Sequence, residues 1–138
     1  MATAKWATPG SRSSNLASSG TLNSIATGGE SATMTYDNST ARDLYGAVTV
    51  KLGSIDPSAG GSITLRVQYV ETDTPDAKFG GDLYTTLVND TSSPKIVIFN
   101  MVRLYPFSMR LAIINNTGVT FAGSGNELYV KPWNEDVS

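Results

Sequence analysis

The sequence predicts an all-β fold, an antiparallel β-sandwich or jelly roll with an extended N-terminal arm. Three observations carry that expectation. Apolar residues alternate with polar ones in several short runs, turn signals separate the runs at intervals of about 8 to 12 residues, and no stretch sustains a helical period. The clearest run is residues 107–113, where Phe107, Met109, Leu111 and Ile113 share one face and Ser108, Arg110 and Ala112 the other.

Composition shifts near Glu30, which divides the chain into an arm, residues 1–30, and a β-domain, residues 31–138. The first part is dominated by Ala, Ser, Thr and Gly and has neither apolar period, so it lacks the surface to order itself alone. Its larger side chains, Trp6, Leu16, Leu22 and Ile25, are spaced like anchors for grooves on another subunit. A Trp left loose in water would waste a large apolar surface.

The domain begins with Ala32, Met34 and Tyr36, alternating ahead of an Asp37-Asn38-Ser39 turn. Leu44, Gly46, Val48, Val50 and Leu52 then mark a longer strand, and SIDPSAGG at residues 54–61 breaks it. Beyond the break, Ile63, Leu65, Val67 and Tyr69 form one face and Thr64, Arg66 and Gln68 the other. These two long strands are expected to pair as a hairpin. Residues 71–82, ETDTPDAKFGGD, read as a polar surface loop, and residues 83–87 as a short strand. Residues 94–105 contain IVIFNMV, a continuous apolar run that suits a strand covered on both faces or lying at an interface. Strands over 105–115, 119–122 and 127–131 complete the count at seven or eight.

Composition also restricts function. With 138 residues the default is one domain, long enough to bury roughly two-thirds of its unfolded surface. The chain has no cysteine and no histidine, which removes thiol chemistry, disulfides, the Ser-His-Asp relay and His-zinc sites. No metal or other cofactor is expected, nor an enzyme. Ten basic and twelve acidic residues are dispersed without a basic run, which disfavours nucleic acid. No apolar stretch approaches the roughly 20 residues of a membrane span, and no signal-like N-terminus is visible, so a soluble chain without a cleaved signal is expected.

Three constellations invite chemical readings. Glu71, Asp73, Asp76 and Asp82 place four carboxylates in one stretch, but the spacing matches no EF-hand and one loop is a poor frame for a glycosidase pair. A solvated acidic loop is the simpler reading. Tyr69, Phe79, Tyr84, Tyr105 and Trp133 resemble a sugar-stacking platform, although aromatic residues at strand ends more often plug a core or a subunit contact. Asn38, Asn89 and Asn115 each open an N-x-[ST] tripeptide, a match that frequent Asn, Ser and Thr produce by chance.

The stretches YPFSMRLAIINNTGVTFAGSGNELYVKP, LNSIATGGESA and LRVQYVETDTPD together resemble small virion proteins of tailed bacteriophages. Shared features are a Ser/Thr/Ala-rich start, a central strand followed by an acidic loop, and a closing hairpin with N-x-[ST]-G at 115–118 and SGN at 124–126. The nearest kind is the capsid decoration or cement protein. That resemblance implies a structural protein that binds the major capsid protein lattice, stabilises the head and resides on the capsid surface after assembly in the host cytoplasm. It implies a homo-oligomer, with a trimer favoured, and no nucleic-acid or membrane partner. Phe79 and Tyr84, near the central loop, are secondary candidates for lattice contacts. A carbohydrate-binding module on the virion surface and a tail or neck component are the alternatives.

Overall fold

Alternation along the chain becomes strands with one dry face. The computed structural model describes residues 4–70, 78–88 and 95–137. Among them, in chain order, are β1 (Ala4–Trp6), β2 (Met34–Asp37), β3 (Tyr45–Leu52), β4 (Ser62–Val70), β5 (Lys78–Leu87), β6 (Lys95–Arg103), β7 (Ser108–Asn116), β8 (Glu127–Trp133) and β9 (Glu135–Val137). No helix occurs among the described residues. The strands form a four-stranded sheet ordered β2-β7-β4-β5, a three-stranded sheet ordered β6-β3-β8, and a small ribbon pairing β1 with β9. Every pairing is antiparallel.

The two larger sheets pack face to face. Ile63, Leu65 and Val67 of β4 and Met109, Leu111 and Ile113 of β7 meet Val48, Val50 and Leu52 of β3 in one core. The expected hairpin of the two long strands is not formed. β3 lies between β6 and β8, while β4 lies between β7 and β5 in the other sheet. Each carries a fully buried apolar row, and placing the two rows at the centres of facing sheets buries both.

Further sequence expectations change for similar reasons. The closing segment is no hairpin, because β7 and β8 belong to opposite sheets. Residues 119–122 form no strand. Phe121 there is buried and donates its N–H to the Ile25 carbonyl, so it plugs the end of the sandwich. Residues 78–82, assigned above to a loop, start β5. Gly80 and Gly81 fall where the β4 register shifts between Val67 and Tyr69, and glycine accommodates the bulge. Residues 71–77 lie outside the described residues.

The largest correction concerns the N-terminal arm. Residues 7–31 lie along the chain's own sandwich as a strap. The N–H groups of Gly10, Ser13 and Leu16 donate to the carbonyls of Pro132, Val130 and Leu128 on the open edge of β8. Ser13 Oγ and Asn15 Oδ1 accept in return from the N–H groups of Val130 and Leu128, at 2.9 and 3.0 Å. Polar side chains thus replace the backbone carbonyls of a regular strand, which is why no period marks the strap in sequence. Pro132 continues the row of edge-facing nitrogens at 128 and 130, where its missing N–H costs β3 nothing.

Leu22 is fully buried and Ala17 nearly so, both within the core, while Leu16 and Ile25 pack partly buried against it. Leu22 therefore serves the chain's own interior, and Leu16 and Ile25 pack against it while keeping part of their surface exposed. Trp6 falls in β1, whose backbone pairs with β9, and its side chain lies outside the described residues.

Candidate functional site

Sheet edges are where a sandwich meets other proteins, and this one treats its edges unequally. The β8 edge is sealed by the strap. β5 and β6, the outer strands of the two sheets, instead run side by side: the Tyr84 hydroxyl accepts from the Arg103 N–H at 3.1 Å, and the Tyr105 hydroxyl donates to Asp82 Oδ2 at 2.5 Å. Tyr84 and Tyr105 both pack partly buried against the core, and their hydroxyls join the two strands, the Tyr84 bond at the exposed rim and the Tyr105 bond part-buried.

The outward rows of the same two strands are apolar. On β5, Leu83 and Leu87 are 58% and 59% exposed. On β6, Ile96, Ile98 and Met101 are 60%, 49% and 54% exposed. A register shift opposite Ala47, between Gly46 and Val48 of β3, leaves both Asn100 and Met101 facing solvent. Among the described residues only Leu44, at 45%, is a comparably exposed large apolar side chain elsewhere. Those on β5 and β6 form two separate rows, Leu83 and Leu87 on the outer face of the four-stranded sheet beside Arg66 and Ser62, and Ile96 and Ile98 on the opposite outer face beside Lys51 and Thr49.

Each row is bordered by a charge matched within the chain. Arg66 lies beside Leu83 in the β4–β5 register, and its Nε is 3.0 Å from Glu30 Oε1, close in charge but not aligned as a hydrogen bond. Lys51 lies beside Ile96 in the β3–β6 register and is 3.2 Å from Glu127 Oε2. The outward rows themselves contain Leu, Thr, Ile, Asn and Met from Leu83 to Leu87 and from Ile96 to Met101. Arg103 stands at the far end of β6.

No family model, no curated protein and no solved structure matches the chain.

The other sequence candidates resolve as follows. Tyr84 is half-buried and bonded into the β5–β6 seam, so it is not a free ring at a surface loop. Phe79 pairs by backbone with Tyr69, and the side chains of both lie outside the described residues. Trp133 stacks on Tyr45, ring centroids 6.3 Å apart, on the outer face of the sheet opposite β5. Tyr84, Tyr105 and Trp133 therefore do not converge on one platform. Glu71, Asp73 and Asp76 lie outside the described residues, and Asp82 is committed to Tyr105. No group of three or more acidic residues positioned to hold a metal ion occurs among the described residues. Asn38 and Asn115 are fully buried, and both donate through their side-chain amides to backbone carbonyls, so neither presents a glycosylation acceptor. Asn89 lies outside the described residues.

A polar cleft of about 350 Å³ opens between the strap turn and the start of β8, lined by Asn15, Ser18, Asn23, Lys51, Asn126 and Glu127. Its amides hold the fold. Asn15 Oδ1 accepts from Ala17 and Leu128, and Asn126 accepts from the Gly53 N–H while donating to Ala122 and Asn23. Beside the cleft, hydrogen bonds from the Tyr129 hydroxyl and then Lys51 hold the Glu127 carboxyl below its usual range.

Sequence reasoning missed the exposed rows as a site. The β6 row was visible in IVIFNMV, whose two possible readings were burial on both faces or an interface; β6 buries one face only.

Proposed function

We propose that this chain is a structural protein of a tailed-bacteriophage virion, a capsid decoration protein that binds the major capsid lattice and stabilises the head. The observation that carries the structural reading is the pair of uncharged, exposed apolar rows, Ile96 and Ile98 on β6 and Leu83 and Leu87 on β5, one on each outer face of the sandwich. Permanent protein contacts would remove them from water, whereas a freely diffusing monomer would keep them as an aggregation hazard. The resemblance of residues 22–32, 65–76 and 105–132 to small virion proteins supports the choice of particle.

In this reading the sandwich supplies a rigid body, the strap is part of that body, and the exposed apolar rows supply adhesion. The protein would act on the capsid surface after assembly in the host cytoplasm. No catalytic step is needed. Many identical weak contacts on a lattice raise the effective concentration of each copy, so modest individual affinity suffices.

Electron microscopy of purified virions, with the chain located by a fused tag, tests the reading. Density on the head shell at high copy number is expected. Placement on the neck or tail would replace decoration with a tail role, and absence from the particle would end the proposal.

A further inference from the structure

Resting on the reading of the exposed rows as protein contacts, we propose that the outer face of the three-stranded sheet takes an acidic segment of a partner protein, one with apolar side chains between its carboxylates. Register makes this one surface. Ile98, Thr49 and Tyr129 are neighbours across β6, β3 and β8; Ile96, Lys51 and Glu127 form the next rung, and Arg103, Tyr45 and Trp133 close the far end. From Tyr45 to Lys51 the face runs about 20 Å, the reach of roughly six extended residues.

Charge selects the occupant. The outward side chains of β3, β6 and β8, with Arg12 of the strap above Tyr129, set four cations, Arg12, Lys51, Arg103 and Lys131, against one carboxylate, Glu127. The whole chain carries a net charge of −2, so this face runs against the sign of the rest. Lys51 is the cation that pairs with Glu127; Arg103 and Lys131 are exposed and form no ion pair among the described residues, and Arg12 keeps its charge over the ring. On the opposite outer face Arg66 and Arg110 stand with Glu30 and Asp37, in balance.

Arrangement favours protein over nucleic acid. A strand of nucleic acid is held by cations that follow its phosphates, whereas Ile98, Thr49 and Ala47 separate Lys51 from Arg103 here. An apolar middle within a charged margin is the anatomy of a protein contact, and a margin of one sign selects a partner of the other.

The test puts the photo-crosslinking residue p-benzoylphenylalanine in place of Ile98 in the full-length chain, irradiates virions assembled with it, and sequences the captured peptide by mass spectrometry. A segment of the head-shell protein with net negative charge is expected. In parallel, Arg103→Glu combined with Lys131→Glu should lower incorporation into virions roughly tenfold or more, with the circular dichroism spectrum unchanged. Arg42→Glu, at an exposed arginine in the turn between β2 and β3, is the control and should leave incorporation unaltered. Capture of a neutral or basic segment, of nucleic acid or of another copy of this chain overturns the acidic occupant and leaves the virion reading standing, as does undiminished incorporation of the double variant. A chain that enters virions but captures nothing from position 98 removes this face as a contact. A chain absent from virions ends the particle reading and this inference with it.

Discussion

The side-chain amide of Asn115 donates to the Ile25 carbonyl at 2.8 Å, joining residues 90 positions apart. The same amide donates to Val119, and Asn115 Oδ1 accepts from both the N–H and the hydroxyl of Thr117. One fully buried residue thus shapes the turn after β7 and fastens the strap to it. Asn126 does similar work at Gly53 and Ala122, and Asn38 at Asp43 and Tyr105. The N-x-[ST]-G and SGN motifs of the sequence are internal clamps.

Asn115→Ala is accordingly expected to destabilise the fold by about 3 kcal/mol, since it leaves buried carbonyls and an N–H without partners. Urea denaturation should show a lower midpoint with an unchanged slope. A loss within about 0.5 kcal/mol would mean that the turn holds its shape without the clamp.

Removing residues 1–27 tests the strap. Leu22 alone is worth about 2 to 5 kcal/mol by the cost of Leu→Ala in cores, and the truncation also opens the β8 edge. Against a typical total of roughly 5 to 15 kcal/mol, the shortened chain should unfold or aggregate. A cooperative thermal transition within a few degrees of the full chain would show that the strap is dispensable.

Two glycines separate steric need from backbone conformation. At Gly53 an added Cβ would strike the Ser124 carbonyl oxygen and lie 2.8 Å from the Ala122 Cβ, so backbone would have to move. At Gly28, with φ of +83°, an added Cβ meets nothing within 4 Å and only the left-handed conformation resists it. Gly53→Ala should cost about 3 kcal/mol or more and Gly28→Ala about 1 kcal/mol. Paired chemical denaturation curves measure the gap; equal losses at the two sites would contradict the packing around Gly53.

The sequence made strands legible where one face is dry and the other wet. β3, β4 and β7 show this, because burial at alternate positions such as Val48, Val50 and Leu52 imposes a period of two. Sheet membership was not legible: the period says which face of β3 is buried but not that β6 and β8 are its partners. The strap escaped for a different reason. Ser13 and Asn15 bond to β8 through side-chain oxygens, and Leu22 enters the core from a turn, so neither leaves a repeating signature. Ile96 and Ile98 on the exposed face of β6 look, in sequence, like Val97 and Phe99 in the core.

Lys51, Glu127, Tyr129 and Arg12 form a chain of charge contacts across the outer face of the three-stranded sheet. Glu127 Oε1 accepts from the Tyr129 hydroxyl at 2.9 Å, Lys51 approaches Oε2, and the Arg12 guanidinium lies 3.9 Å above the Tyr129 ring. The Tyr129 bond first, and Lys51 second, lower the Glu127 pKa below 4.5. A carboxyl with a depressed folded-state pKa binds fewer protons folded than unfolded. Its stabilisation is therefore complete above the unfolded-state value and disappears as pH falls through the folded-state value. Because the group is solvent-exposed the effect is small. Glu127→Gln should lower the thermal midpoint slightly at neutral pH, and the difference from wild type should close as the solution is acidified well below 4.5. A difference that persists unchanged in acid would assign the loss to packing of the side chain over Lys51 and leave no role for its charge.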